Sequence, residues 1–397
     1  MRRARWFMGL ALASAAALAA NGAWADTTLR SATVALLNAA NDPAQQARRL
    51  ELRYLGHPGG PLSDAAALAI DDSTRRLARA GWRLQLHNEA INGVADIGPS
   101  LRRLHAQGVR HVLLNWPADW VAQAAQVAPR DMLLFNVSAR EDKLRAEACG
   151  ARLFHTIPSE AMRADALAQY LAARNWRRAL VLQGPLPQDA GLEAAWRRAA
   201  QRYGIRTTEQ KPFKLSGNPA ERDMANPRLL TNDRDHDVVV VLDSDGEFAR
   251  TLPYATQWPR PVVGSNGLMA SAWHAQWPRN GGPQLSRRFQ ALSGRDMLSQ
   301  DWATWLAVKT VAELLRDHGD ATPAQQAQHL REDFYIAGYK GPRLSYRAWN
   351  GQLRQPMVLA HADGVVGQAP VDGVLHPKEN MDTLGIDAPE NQCQAQP

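Results

Sequence analysis

The sequence predicts an α/β protein of two lobes, each a parallel sheet flanked by helices. Three observations carry this expectation. Strands alternate with helices of ordinary length in two successive series, the pattern of parallel sheets covered on both faces. One strand, within HDVVVVLDSDGE (236–247), is apolar throughout, as a strand buried on both faces must be. Finally, about 370 residues remain after an N-terminal leader, more than one compact core usually takes.

The leader is read from MRRARWFMGLALASAAALAANGAWAD. Arg2, Arg3 and Arg5 open it, an apolar stretch follows from Trp6 to Ala20, and Ala23-Trp24-Ala25 has the small-x-small form of a cleavage site. Residues 1–25 are thus a secretory signal, too short in its apolar part for a membrane span, and no later segment is long and apolar enough for one. The expected location is the periplasm. Formal charge is +7. Arginine pairs such as Arg48-Arg49, Arg75-Arg76, Arg102-Arg103 and Arg177-Arg178 are scattered rather than clustered and read as solvated helix faces, so no nucleic-acid partner is expected. The two cysteines, Cys149 and Cys393, are too few to build a zinc site.

The first series begins with the strand SATVALLNAA (31–40), then a helix-prone stretch over 42–55 and the turn HPGGP (57–61). The periodicity over 62–82 predicts a helix stopping at Gly81. A strand over 83–90, a helix from Asp96 to Gly108, a strand over 109–116, a helix over 118–128 and the strand DMLLFNV (131–137) complete it. The second series opens with a helix in 155–176, capped by Ser159 or Thr156. It continues with a strand over 177–184, a helix over 190–204 ending at Gly204, a strand over 205–213, the apolar strand, a helix in EFARTLPYATQW and a strand over 260–266. Beyond 267 come helices over 286–296, 299–319 and 322–333, the last capped by Thr322 with Pro323 in its first turn. A hairpin over 342–364 is expected to turn at Asn350-Gly351.

No catalytic motif stands out. G-x-S-x-G is absent and GSNG (264–267) has the wrong order; H-E-x-x-H, G-x-G-x-x-G and a phosphate loop are absent too. The expectation is that the protein is not an enzyme and takes no cofactor or metal. Asp243, Asp245 and Glu247 in VLDSDGE lack the distant glutamate of a calcium loop, and a loop there caps a helix or contacts a ligand more often than it holds a cation. Trp302 or Trp305 falls on an apolar helix face with Leu306, Val308 and Leu315 and reads as core. Trp116 sits at a strand's C-terminal tip, where open α/β sheets bind ligands; a ligand contact and packing between lobes are equal readings.

The run NWPADWVAQAAQVAPRDMLLFNVSAREDKLR, then LFHTIPSEAMRADALAQYL and WRRALVLQG, resembles periplasmic substrate-binding proteins of the branched-chain amino acid (type I) family, over nearly the whole mature chain. FNVSAREDKLRAEAC, QLSRRFQALSGR, DWATWLAVK and DTLGIDAPENQC resemble the subfamily found beside PQQ-dependent alcohol dehydrogenase systems. The resemblance implies a monomer that holds a small organic ligand between the lobes and delivers it to an ABC transporter permease. The alternative is a ligand sensor or accessory protein of an alcohol-oxidation system. It places lobe 1 at 26–154 and 267–337, lobe 2 at 155–266 and 338–397, and a three-stranded hinge with crossings near Phe154, Gly264 and Gly338. SARED (138–142) becomes a cleft loop facing DSDGE (243–247). Ligand candidates are Trp116, Asp119, Ser138 and Arg140 from lobe 1 and Gln183, Asp243 and Glu247 from lobe 2. NWPAD carries no Gly-Ser pair where amino-acid binders hold the carboxylate, so an aromatic or acidic ligand suits the strand tip as well. A Cys149–Cys393 disulfide is expected, since the family's chain ends near the hinge and the compartment is oxidising.

Overall fold

The structure, a computed structural model, describes residues 29–40, 59–146, 150, 152–362 and 364–393. The leader, the helix expected over 42–55 and Cys149 lie outside the described residues.

Two parallel sheets organise the chain. The first has the order β2-β1-β3-β4-β5, from Trp82–Ile91, Arg30–Ala39, His111–Asn115, Leu133–Asn136 and Leu153–His155. The second has the order β7-β6-β8-β9, from Arg206–Pro212, Arg178–Gln183, Val238–Leu242 and Val262–Gly264. Alternation explains why β8 and the middle of β1 are apolar on both faces. In β1, Val34 and Leu36 enter one core, with α1 (Ser63–Arg79), α6 (Gly282–Ser293), α7 (Ser299–His318) and α8 (Pro323–Glu332). Ala35 and Leu37 enter the opposite one, with α2 (Ile97–Ala106) and α3 (Ala118–Val127). In β8, Val238 and Val240 meet α4 (Glu160–Ala173) and α5 (Asp189–Tyr203), while Val239 and Val241 meet Phe213, Phe248 and Leu252.

Helix ends follow the sequence closely. Ser159 accepts from the Met162 amide at 3.3 Å, and Thr322 forms a reciprocal capping box with Gln325. Gly81, Gly108 and Gly204 take left-handed conformations at φ +80°, +85° and +67°. Of the two caps expected for α4, Ser159 is the one used, because His155 is spent on β5 and Thr156 on the passage between lobes. The helix expected in EFARTLPYATQW is not formed; only a 3-10 turn at Leu252–Tyr254 appears, since Pro253 removes a backbone donor and disfavours helical geometry before it. Trp302 and Trp305 are both fully buried in the first lobe.

Two further chain segments join the lobes. After β9, the short strand β10 (Met269–Ser271) leads back to Ala272, Trp273 and Trp277 in the first-lobe core. The hairpin expected over 342–364 resolves into two. β11 (Ile336–Ala337), β12 (Arg343–Tyr346) and β13 (Leu353–Arg354) form one antiparallel ribbon, with Asn350 and Gly351 inside a longer 347–352 connection. β14 (Met357–His361) pairs with β15 (Gly364–Ala369) and β10 instead. Leu344, Tyr346 and Leu353, beyond Gly338, are buried in the first core. The passage falls on β14, whose Val358 and Ala360 face the first core and whose Met357 and Leu359 face the second. The period of two lets one strand serve both cores.

Candidate functional site

In an open parallel sheet the carboxyl ends of the strands carry the loops free to meet a ligand. On the first lobe that edge is lined with asparagines. Asn115 donates to Asn38 and Asn38 to Asn88, each at 2.9 Å. Asn136, fully buried at the end of β4, donates to the Ala139 carbonyl at 2.7 Å and accepts the Ser138 and Ala139 amides. Short amides suit this place: they bond one another along the edge, and Asn136 satisfies backbone groups that the ending strand leaves without partners.

Ser138 is half-buried and donates to the Trp116 carbonyl at 3.1 Å, tying the tips of β3 and β4 together. Trp116 itself is only 2% exposed and packs edge-on against Trp120, with ring centroids 6.0 Å apart, so in this structure it belongs to the first-lobe core. Its indole nitrogen is buried without a hydrogen-bond partner. Asp119 is exposed and paired with Lys143 at 2.6 Å.

The SARED loop leans on the second lobe. The Arg140 carbonyl accepts the Glu160 amide at 3.0 Å, and both Asp142 oxygens accept the Ala161 amide, at 3.2 and 3.1 Å. A loop of one lobe thereby satisfies the open amide donors that begin α4 of the other. Burial raises the Asp142 carboxyl above its ordinary range, opposed by the Ser159 hydroxyl and Arg145.

On the second lobe, Asp189 organises the edge. It is fully buried and accepts the Leu186 amide at 2.8 Å and the Ser244 amide at 2.7 Å, joining the loops after β6 and β8. Asp243 is 4% exposed; it accepts the Ala249 amide at 2.8 Å, and its own amide donates to the Ser265 hydroxyl at 2.9 Å. Burial pushes its carboxyl up to about 6, with Asp245 adding to the rise and the Ala249 amide opposing it. Gln183, at the end of β6, accepts from Gln210. Glu247 is exposed and paired with Arg250 at 3.0 Å.

Two concavities lie near these edges. One is a narrow space of about 30 Å³ in the second lobe, lined by Glu160, Arg163, Trp196, Leu242, Gly264 and Ser265 among others. The other is a polar hollow of about 380 Å³ at the end of β2, lined by Glu89, Asn92, Asp96, Ser100 and Arg103 with their neighbours. None of the seven candidates from the sequence lines either space. Glu160, Arg163 and Ser265 escaped sequence reading. The first two look like an ordinary i,i+3 surface pair, bonded at 2.7 Å, and only the fold brings Ser265 beside Asp243.

Among the described residues, no group of three His, Cys, Asp or Glu is placed to hold a metal ion, and no helix is long and apolar enough to cross a membrane. No protein-family model and no curated protein sequence matches the chain. Solved structures do. A leucine-, isoleucine-, valine-, threonine- and alanine-binding protein from Brucella ovis, in a closed conformation, superposes with a TM-score of 0.70 at 12% identity, covering 92% of this chain and 99% of that one. An ABC transporter substrate-binding protein from Desulfitobacterium hafniense in complex with Leu gives 0.65 at 16% identity over 85% and 99% of the two chains. A solute-binding protein of an ABC transporter from Rhodopseudomonas palustris BisB5, in complex with 3,4-dihydroxy benzoic acid, gives 0.60 at 12% identity over 85% and 94%. The chain has the two-lobed fold of type I periplasmic binding proteins.

Proposed function

We propose that this chain is a periplasmic solute-binding protein that captures a small organic ligand between its lobes and delivers it to an ABC importer. The observation that supports this most is the pairing of fold and edge chemistry: two parallel sheets, joined by three crossings, each present a polar row at their carboxyl ends. Catalysis is not part of the reading. The lobes, as proposed, divide at residues 155–159, at β10 and at β14. Ser138 and Arg140 would serve the ligand from lobe 1, and Gln183 and Asp243 from lobe 2, with Glu160, Arg163 and Ser265 added by the structure. Trp116, Asp119 and Glu247 are kept as candidates that would need side-chain rearrangement to reach it. The likeness of several segments to binding proteins beside PQQ-dependent alcohol dehydrogenases supports a ligand from alcohol oxidation, and the solved relatives' ligands, Leu and 3,4-dihydroxy benzoic acid, add amino and aromatic acids.

A thermal-shift screen of amino acids, aromatic acids, aliphatic carboxylates and alcohols tests this. A ligand at 100 times its Kd stabilises the folded form by about 2.7 kcal/mol, a shift of a few degrees for a protein this size. A hit whose shift vanishes in both Asp243→Ala and Arg140→Ala supports the cleft; a hit indifferent to both would move the site elsewhere, and a screen with no hit counts against solute binding.

A further inference from the structure

The chain crosses between the lobes three times, but a fourth segment also touches both. After β15 the chain runs along the second lobe, and residues 381–386 are then gripped alternately from the two sides. The first-lobe grip comes from the β12–β13 hairpin, whose Tyr346 and Leu353 are buried in the first core. Arg347 and Arg354 both donate to the Asp382 carboxylate, their Nε atoms at 2.8 and 2.9 Å from Oδ1. Arg347 also donates to the Met381 and Leu384 carbonyls, at 3.0 and 2.6 Å, and the Trp349 indole to the Ile386 carbonyl at 3.3 Å.

The second-lobe grip comes from α4 and α5 on the same few residues. Tyr203 donates to the Thr383 carbonyl at 2.6 Å, and the Leu384 side chain is fully buried in the second core. The Gly385 amide donates to Asp165 at 2.7 Å, and Arg198, paired with Asp165, donates to the Gly385 carbonyl at 2.7 Å. Asp382 and Asp165 are 3% and 0% exposed, so both anchors are buried ion pairs rather than surface ones. Breaking a buried pair by removing one partner leaves an uncompensated charge, so neither anchor lets go easily.

We infer that residues 381–386 form a non-covalent strap that restrains rotation of one lobe against the other. A lobe rotation that left the strap intact would have to carry Arg347 and Asp165 together. A rotation that separates them breaks Asp382–Arg347 or Gly385–Asp165 contacts and costs free energy, so the strap sets the balance between lobe arrangements. The inference rests on the two-lobed fold and on no particular ligand.

Hydrogen exchange on the full chain without ligand tests it. Asp382→Asn keeps the shape of the side chain and removes its charge. The expected result is exchange about tenfold faster at the crossings, residues 155–159, 269–272 and 355–358, with β3 and β8 unchanged, because the strap acts between lobes and not within them. Wild-type rates at the crossings, or an equal acceleration in β3 and β8, would overturn the proposal. Should Asp382→Asn not fold, Trp349→Phe removes the bond to Ile386 while keeping an aromatic ring beside Arg347 and Arg354, and is read the same way with a smaller change. In the wild type the Gly385 amide must exchange as slowly as a buried helix amide; exchange at the rate of a free peptide would overturn the strap whatever the variants do.

Discussion

At the scale of single residues, chemistry and conformation can be separated. Gly264 sits at φ +116°, and a Cβ there would lie 2.3 Å from the Val241 carbonyl oxygen. Gly264→Ala is therefore expected to cost roughly 2–4 kcal/mol, read as a lower urea midpoint with an unchanged slope. Asp243 makes a pH prediction. Its carboxyl is raised to about 6 in the folded protein, against an ordinary value near 4 in the unfolded chain, so the folded state holds its proton more tightly. That contribution is fully present below about pH 4 and is lost as pH rises through about 6. Wild-type melting temperature should fall across this window relative to Asp243→Asn; parallel curves for the two proteins would refute the assignment. The caps at Ser159 and Thr322 were legible in the sequence because a cap and its amide are neighbours along the chain. Asp189, which joins two loops through Ser244, was not, because its role depends on a partner 55 residues away.

Among the elements, the clearest new feature is the polar pin at the crossings. Lys340 is fully buried, and burial holds its ammonium well below the usual lysine range. It donates to the Ala272 and Pro356 carbonyls, both at 2.9 Å, and to Gln355 at 2.7 Å, and it lies 3.7 Å from the Trp302 ring centre. Gln355 in turn donates to the Thr156 carbonyl at 2.7 Å, so one lysine links all three passages between lobes. Lys340→Met should cost about 2–4 kcal/mol by leaving buried acceptors without donors, measured by denaturant unfolding. A loss below about 0.5 kcal/mol would show that the pin contributes little. By contrast, Thr322→Ala removes one capping bond from α8 and should cost only about 1 kcal/mol. Strand and helix types were readable from periodicity. The failed helix at 247–258 and the division of the last hairpin were not, since Pro253 and the pairing of β14 with β10 outweigh local pattern.

For the whole molecule, the proposed function requires motion about the three crossings. Small-angle scattering at ligand saturation should show a smaller radius of gyration than the apo protein, and an unchanged radius would refute closure. The tail adds a covalent proposal. Arg331 donates to the carbonyls of Gly150 and Ala348, and Trp349, beside Ala348, donates to Ile386 in the tail. Gly150, next to Cys149, and Ile386 in the tail are thus both tied to the 348–349 turn, Gly150 through Arg331. No free cysteine occurs among the described residues. A Cys149–Cys393 bridge, closing so long a loop, should add roughly 3–5 kcal/mol of stability in the chain-entropy view. Thiol titration of the unreduced, denatured protein is expected to find none free; two free thiols would end the proposal.

The sequence by itself determined the two α/β series, the helix caps and stops, the apolar central strands and the likeness to type I binding proteins, because each is written in residues close together along the chain. Tertiary structure alone decided that β14 faces both cores, that Trp116 is buried while Asp119 and Glu247 hold surface pairs, and that the tail is bonded through Asp382 to Arg347 and through Gly385 to Asp165. The division has one physical cause. Hydrophobic periodicity and capping act over a few residues, whereas buried charges such as Lys340, Arg347 and Asp165 are tolerable only where distant segments converge to supply their partners, and no local pattern records that convergence.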